Sequence, residues 1–132
     1  QDSVYFVEDD YLHLPNSVEI IAKSVQEIGL VNGYDHLDRY IRTDDLTFNR
    51  EGIIFSPSTN RHWRTAESTC CTWAATKQVW DFIKDDCRNF KLQDRELFRN
   101  FIRKGLRLYT PIPGITTQVD DKLSPGINWE KL

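Results

Sequence analysis

Hydrophobic and polar positions change their spacing several times along this chain, and each change marks an element. Ser3-Val4-Tyr5-Phe6-Val7 is a short β-branched and aromatic run, the pattern of a buried strand, and it leads directly into Glu8-Asp9-Asp10. Pro15-Asn16-Ser17 followed by Glu19 predicts a helix start, with Asn16 as cap and Glu19 reaching back in a capping box. Val18, Ile21, Val25 and Ile28 then share one helical face, and Gly29 closes the helix. Leu30-Val31 reads as a short strand or extended entry into Tyr34-Asp35-His36-Leu37-Asp38-Arg39-Tyr40, and residues 43–51 are polar and turn-like. Gly52-Ile53-Ile54-Phe55 reads as a second strand, ended by Ser56-Pro57-Ser58.

Arg61-His62-Trp63-Arg64-Thr65 is polar and aromatic and is expected to be a loop before the strand-compatible stretch 68–76. Val79, Trp80, Ile83, Cys87 and Phe90 return to helical spacing; Asp94 is placed to cap a further helix, whose Leu97, Phe98, Phe101 and Ile102 form a stripe ending at Gly105. Residues 106–132 are punctuated by Pro111, Pro113, Gly114, Pro125 and Gly126 but still carry Tyr109, Ile112, Ile115, Leu123, Ile127 and Trp129. They are expected to form an extended, ordered tail. Strands alternating with helices predict an α/β fold with a mostly parallel sheet.

Composition narrows the class. A chain of 132 residues makes at most one domain, and an apolar fraction of 39% with four tryptophans is enough for a core. The net charge of −3 and the lack of a basic cluster argue against a nucleic-acid partner. No apolar stretch approaches the length of a membrane span. Cys70, Cys71 and Cys87 form no CxxC pair, so buried thiols in a reducing compartment, the cytoplasm, are expected over disulfides or zinc. A buried parallel strand needs a neighbour on both sides, so residues 3–7 are either an edge strand or the middle of a larger domain. The second alternative is preferred here: residues 1–132 would be the later part of a domain, with an upstream segment as partner.

Three groups of residues could carry chemistry. Glu8-Asp9-Asp10 holds three carboxylates at a strand end, where open α/β folds bind ligands. Such hard oxygen ligands suit Mg²⁺ or Mn²⁺ carrying a phosphorylated substrate, although an acidic turn capping the next helix has the same composition. His62-Trp63-Arg64 combines a metal ligand or proton donor, an apolar ring for a sugar and a phosphate-pairing guanidinium; a loop anchored by its Trp is the alternative. Glu67 follows closely and is a candidate base or nucleophile, or a surface residue. Asp35 and His36 could face a cleft for an acceptor or sugar, with Tyr34 and Tyr40 merely packing and Asp38 and Arg39 forming a local ion pair.

The order of these blocks resembles a family of small GT-A-type glycosyltransferases that includes the glycosyltransferase domain of a chlorella virus and related bacterial proteins. The resemblance spans most of the chain: residues 4–13, Tyr34-Asp35-His36-Leu37-Asp38-Arg39-Tyr40, His62-Trp63-Arg64-Thr65-Ala66-Glu67-Ser68-Thr69, Pro111-Ile112-Pro113-Gly114-Ile115-Thr116-Thr117 and Leu123-Ser124-Pro125. It implies a GT-A-like sheet, a nucleotide-sugar donor, a saccharide acceptor, Mn²⁺ or Mg²⁺, and a cytoplasmic location, the host's if virus-encoded. Glu8-x-Asp10 would occupy the DxD position, with Asp10 the firmest metal ligand and Glu8 and Asp9 near metal or ribose. The first member here is Glu in place of Asp. The histidine that such enzymes often use late in the chain is missing, since Thr116-Thr117-Gln118 offers only an amide; His62 or water would complete the metal. His36, Trp63 and Arg64 are then expected to contact substrate, and Glu67, with Asp35 second, to take the acceptor proton. The upstream segment would recognise the base. Two rival readings are a metal-dependent phosphoryl or nucleotidyl transferase, which would want Asp44-Asp45 or Asp85-Asp86 for a second metal, and a non-catalytic sugar-binding module using Trp63 and Trp129.

Overall fold

The computed structural model describes residues 2–41, 52–70, 72–89, 92–120 and 122–132. The chain forms β1 (Ser3–Phe6), β2 (Tyr11–His13), α1 (Ser17–Ile28), β3 (Leu30–Val31), the short α2 (Asp38–Ile41), β4 (Ile53–Ser56), β5 (Arg61–Ala66), β6 (Trp73–Thr76), α3 (Lys77–Cys87), α4 (Asp94–Arg103), β7 (Leu108–Ile112), β8 (Thr116–Gln118) and a final 3₁₀ turn, Trp129–Lys131. Six strands make one sheet in the order β1-β6-β3-β7-β5-β4, and β2 pairs with β8 in a separate ribbon.

The fold is mixed α/β, but the expected mostly parallel sheet is corrected: among the described strands of the sheet β3 and β7 pair in parallel, whereas β1–β6, β3–β6, β4–β5 and β5–β7 are antiparallel. Successive βαβ crossovers would have produced parallel neighbours, yet β4 and β5 join by a hairpin and, among the described residues, α4 follows α3 with no strand between them. β1 is an edge strand on β6, registered from Ser3 opposite Thr76 to Phe6 opposite Trp73.

Two further expectations change. Residues 61–65 are not a loop but most of β5, in which buried Trp63 and Thr65 alternate with more exposed His62 and Arg64. Residues 106–132 are not an extended tail, since β7 lies inside the main sheet between β3 and β5. Pro111 is tolerated there because the two-residue β3 has ended before it, leaving Pro111 to face only Trp63 of β5.

The core lies on both faces of the sheet. Leu30, Trp73 and Ala75 pack with Ile83 of α3 and Phe98 and Phe101 of α4, whereas Val31 and Ala74 pack with Ile21 and Val25 of α1. Adjacent residues of β3 and β6 thus point to opposite faces, as the pleat requires. α1 ends at Gly29, whose φ of +100° suits glycine and whose N–H bonds to Val25 O. Its start differs from expectation. Asn16 makes no side-chain cap bond, and Glu19 pairs at 2.7 Å with Lys23 one turn on. Val18, placed on the apolar face by spacing, is exposed. Gln93, not Asp94, is the cap residue of α4. Phe90 and Cys71 lie outside the described residues; Cys70 and Cys87 are free and half-buried. Among the described residues no helix is long and apolar enough to cross a membrane.

Candidate functional site

Glu8, Asp9 and Asp10 make the turn between β1 and β2, and two neighbours clamp it. Glu8 N–H donates to Thr72 Oγ1 at 3.3 Å, ahead of β6. At the end of β8, Gln118 Nε2 donates to Asp10 Oδ2 at 2.9 Å, and just beyond it Val119 N–H donates to Asp10 O at 2.8 Å. The β2–β8 register, with Tyr11 opposite Gln118, is what sets that amide beside the carboxylate. Asp9 and Asp10 are exposed and Glu8 is half-buried, so the triplet presents hard oxygen atoms to solvent from a backbone held on both sides. Among the described residues no three His, Cys, Asp or Glu side chains gather into a closed metal cage. One or two carboxylates with open positions for water and phosphate fit the way Mg²⁺ and Mn²⁺ are bound, so Asp10 and Glu8 suit such an ion, with Gln118 beside Asp10.

A cavity of about 230 Å³ opens between α2 and the start of α4, lined by His36, Asp38, Arg39, Thr69, Cys70 and Asp94, among others. Burial raises the Cys70 thiol pKa first, a hydrogen bond with Tyr11 lowers it, and the negative charges of Asp94, Glu8 and Asp10 raise it again. His36 lies with its ring centroid 3.9 Å from that of Tyr34 and its Nε2 3.3 Å from Thr69 Oγ1. Burial, aided by the Arg39 charge, pushes its pKa down to about 3. It is therefore neutral at physiological pH, a hydrogen-bonding wall of the cavity and not a source of protons. Asp38 pairs with Lys122 at 3.3 Å, and Arg39, nearly buried, donates to Ser68 O at 3.0 Å.

The remaining sequence candidates are placed elsewhere. Asp35 is fully buried; one carboxylate oxygen accepts from Arg64 Nη2 and the other from Tyr40 Oη at 2.5 Å. Arg64 in turn stacks on the Tyr40 ring, 4.9 Å from its centroid. Arg64 is thus engaged within the protein, and both Asp35 oxygens are occupied by a cation and a hydroxyl of the chain itself. Glu67 is tied to α4 by Arg99 at 3.4 Å. Trp63 is 0% exposed within the α1-side core, with Nε1 donating to Thr59 Oγ1 at 3.4 Å, so the expected sugar-stacking face is covered. His62 lies exposed on β5 with its ring against Phe55, opposite Ile112, and is not brought together with Asp10, whose side chain meets β8.

Two residues of the site were not assigned from sequence. Asp94 reads there as a helix cap, and its spacing before Leu97 and Phe98 explained it fully; only the tertiary placement of α4 brings it to the cavity. Gln118 reads as a bare amide, and the signal that could have found it is the Thr-Thr-Gln strand following Pro113-Gly114, paired to the strand after Asp10. Asp44 and Asp45 lie outside the described residues, whereas Asp85 pairs with Arg88 and Asp86 with Lys104 on α3. Compared with family models, with curated proteins and with solved structures, the chain gives no match.

Proposed function

We propose that this chain forms the metal- and acceptor-binding side of a GT-A-type glycosyltransferase, which moves a sugar from a nucleoside-diphosphate sugar to a hydroxyl of a saccharide acceptor. The observation that carries this reading is the acidic turn itself, with Glu8, Asp9 and Asp10 on a backbone held by Thr72 and Val119 and Gln118 on the Asp10 carboxylate. Asp10 and Glu8 would hold Mn²⁺ or Mg²⁺, and such an ion supplies positive charge to the diphosphate leaving group. Gln118 orients the Asp10 carboxylate, as an outer hydrogen-bond partner does for a metal ligand. Asp9, exposed beside them, is available to ribose or a metal-bound water.

The cavity receives the acceptor. His36, neutral and fixed against Tyr34, and Thr69 offer hydrogen bonds to its hydroxyls. In an inverting transfer one carboxylate must take the proton of the attacking hydroxyl. Asp94 is favoured for that role because it lines the cavity together with His36 and Thr69. This reading departs from the sequence expectation, which ranked Glu67 first. Asp94→Asn is expected to lower transfer by about two to four orders of magnitude while leaving metal-dependent donor binding intact. Glu67→Gln is expected to retain near wild-type transfer; a collapse in Glu67→Gln with normal rates in Asp94→Asn reverses the assignment.

Of the rival readings, the non-catalytic sugar module loses its supporting residues, since Trp63 and Trp129 are both buried. A nucleotidyl or phosphoryl transferase shares the acidic turn, and its products separate it: pyrophosphate or a cleaved strand in place of nucleoside diphosphate and a glycoside.

A further inference from the structure

A second cavity, of about 340 Å³, lies on the other side of the segment that walls the first. Neighbouring side chains divide between the two. His36 and Arg39 line the first cavity, whereas Asp35 and Tyr40 line this one, which is completed by Ile112, Pro113, Pro125 and Gly126. Its surface is more apolar than its neighbour's. The wall consists of two proline rings, an isoleucine and an aromatic ring, and both oxygens of its one charged group accept hydrogen bonds from within the protein. Tyr40 is 50% exposed, although its hydroxyl donates to Asp35 and the Arg64 guanidinium stacks on its ring.

A pyranose placed here would bury hydroxyls with few partners to receive them, which is unfavourable; an aryl or alkyl group would bury only carbon. We propose that this cavity binds an apolar aryl or alkyl group, and that it is the seat of the acceptor's aglycone. The second half of that statement rests on the glycosyl-transfer reading, whereas the binding chemistry does not. The cavity's position fits the role, because residues 35–40 form a shared wall with the hydroxyl-binding cavity on one side and the apolar one on the other.

The test is NMR of the chain titrated with benzyl alcohol and, separately, with glucose. Benzyl alcohol is expected to shift the resonances of Tyr40, Ile112 and Gly126 saturably, and to give intermolecular NOEs from its ring to the Ile112 methyls. Tyr40→Ala is expected to weaken this binding by about tenfold, while Tyr40→Phe, which keeps the ring, binds nearly as the parent does. Shifts spread equally over exposed Val18, Phe82 and Val119 would overturn the proposal, as would missing NOEs to Ile112 in the parent protein. Glucose shifting the same residues at lower concentration would overturn it too. Binding of benzyl alcohol in a protein that transfers no sugar contradicts the aglycone assignment alone; sugar transfer without such binding overturns the cavity proposal and leaves the transferase reading standing.

Discussion

Lowering the pH should destabilise this protein through His36, and the size of the effect follows from its surroundings. The imidazole is stacked on Tyr34, bonded to Thr69 and desolvated, with Arg39 adding like charge, so its pKa falls from 6.5 to about 3 on folding. A group whose folded pKa is depressed in this way contributes fully above pH 6.5 if it is a histidine that must stay neutral. That contribution is lost as pH falls through the unfolded value, because the unfolded chain then binds the proton and the folded one does not. Near pH 5 the slope is about 1.3 kcal/mol per pH unit, and the integrated loss relative to pH 7.5 is about 2 kcal/mol. His13, which shares a hydrogen bond with Tyr5 Oη at 2.7 Å and whose pKa is also lowered by burial, tilts stability in the same direction. The His36 share is therefore read as a difference: urea unfolding of the parent and of His36→Gln, each at pH 7.5 and pH 5. The parent is expected to lose about 2 kcal/mol more than the variant over that interval. Equal losses in both proteins would refute the argument, because they would mean that His36 takes up its proton as easily folded as unfolded.

Two further predictions concern the packing beneath the site. A Cβ on Gly114 would stand 2.2 Å from Ser124 Oγ and 3.0 Å from Asp35 N, so Gly114→Ala is expected to cost about 3 kcal/mol by denaturant unfolding, part of it recovered by adding Ser124→Ala. Trp129 is buried in the final 3₁₀ turn with Nε1 donating to Ser124 O at 2.7 Å, and Trp129→Ala is expected to destabilise by about 4 kcal/mol; a loss below 1 kcal/mol would mean that this turn is not part of the folded unit.

How far the fold could be read from the chain depends on where each element's signal resides. β1, α1, α3 and α4 announce themselves by local apolar spacing, which survives whatever they pack against. β5 was hidden by chemistry: His62 and Arg64 look like loop residues until their alternation with Trp63 and Thr65 is taken as the half-buried pattern of an antiparallel strand. β7 was hidden by Pro111, whose missing N–H is harmless only because β3 stops short of it. Strand direction was not legible at all, since a buried run such as Val4-Tyr5-Phe6 reads alike in either orientation. The site divides in the same way. The acidic turn at a strand end is a local feature and was visible. That Gln118 meets Asp10, that Asp94 shares a cavity with His36, and that Asp35 turns inward while its neighbour His36 faces the cavity all depend on register and on the docking of α4, which no local pattern encodes.

The most direct measurement of the central claim is nucleoside diphosphate release from a panel of nucleotide sugars by the protein carrying this chain, with Mn²⁺, with a chelator, and with Asp10→Asn. Release that needs the metal and falls by about a hundredfold or more in Asp10→Asn is the expected result. Release that continues undiminished under chelation, or in Asp10→Asn, would contradict a metal–diphosphate role for the acidic turn.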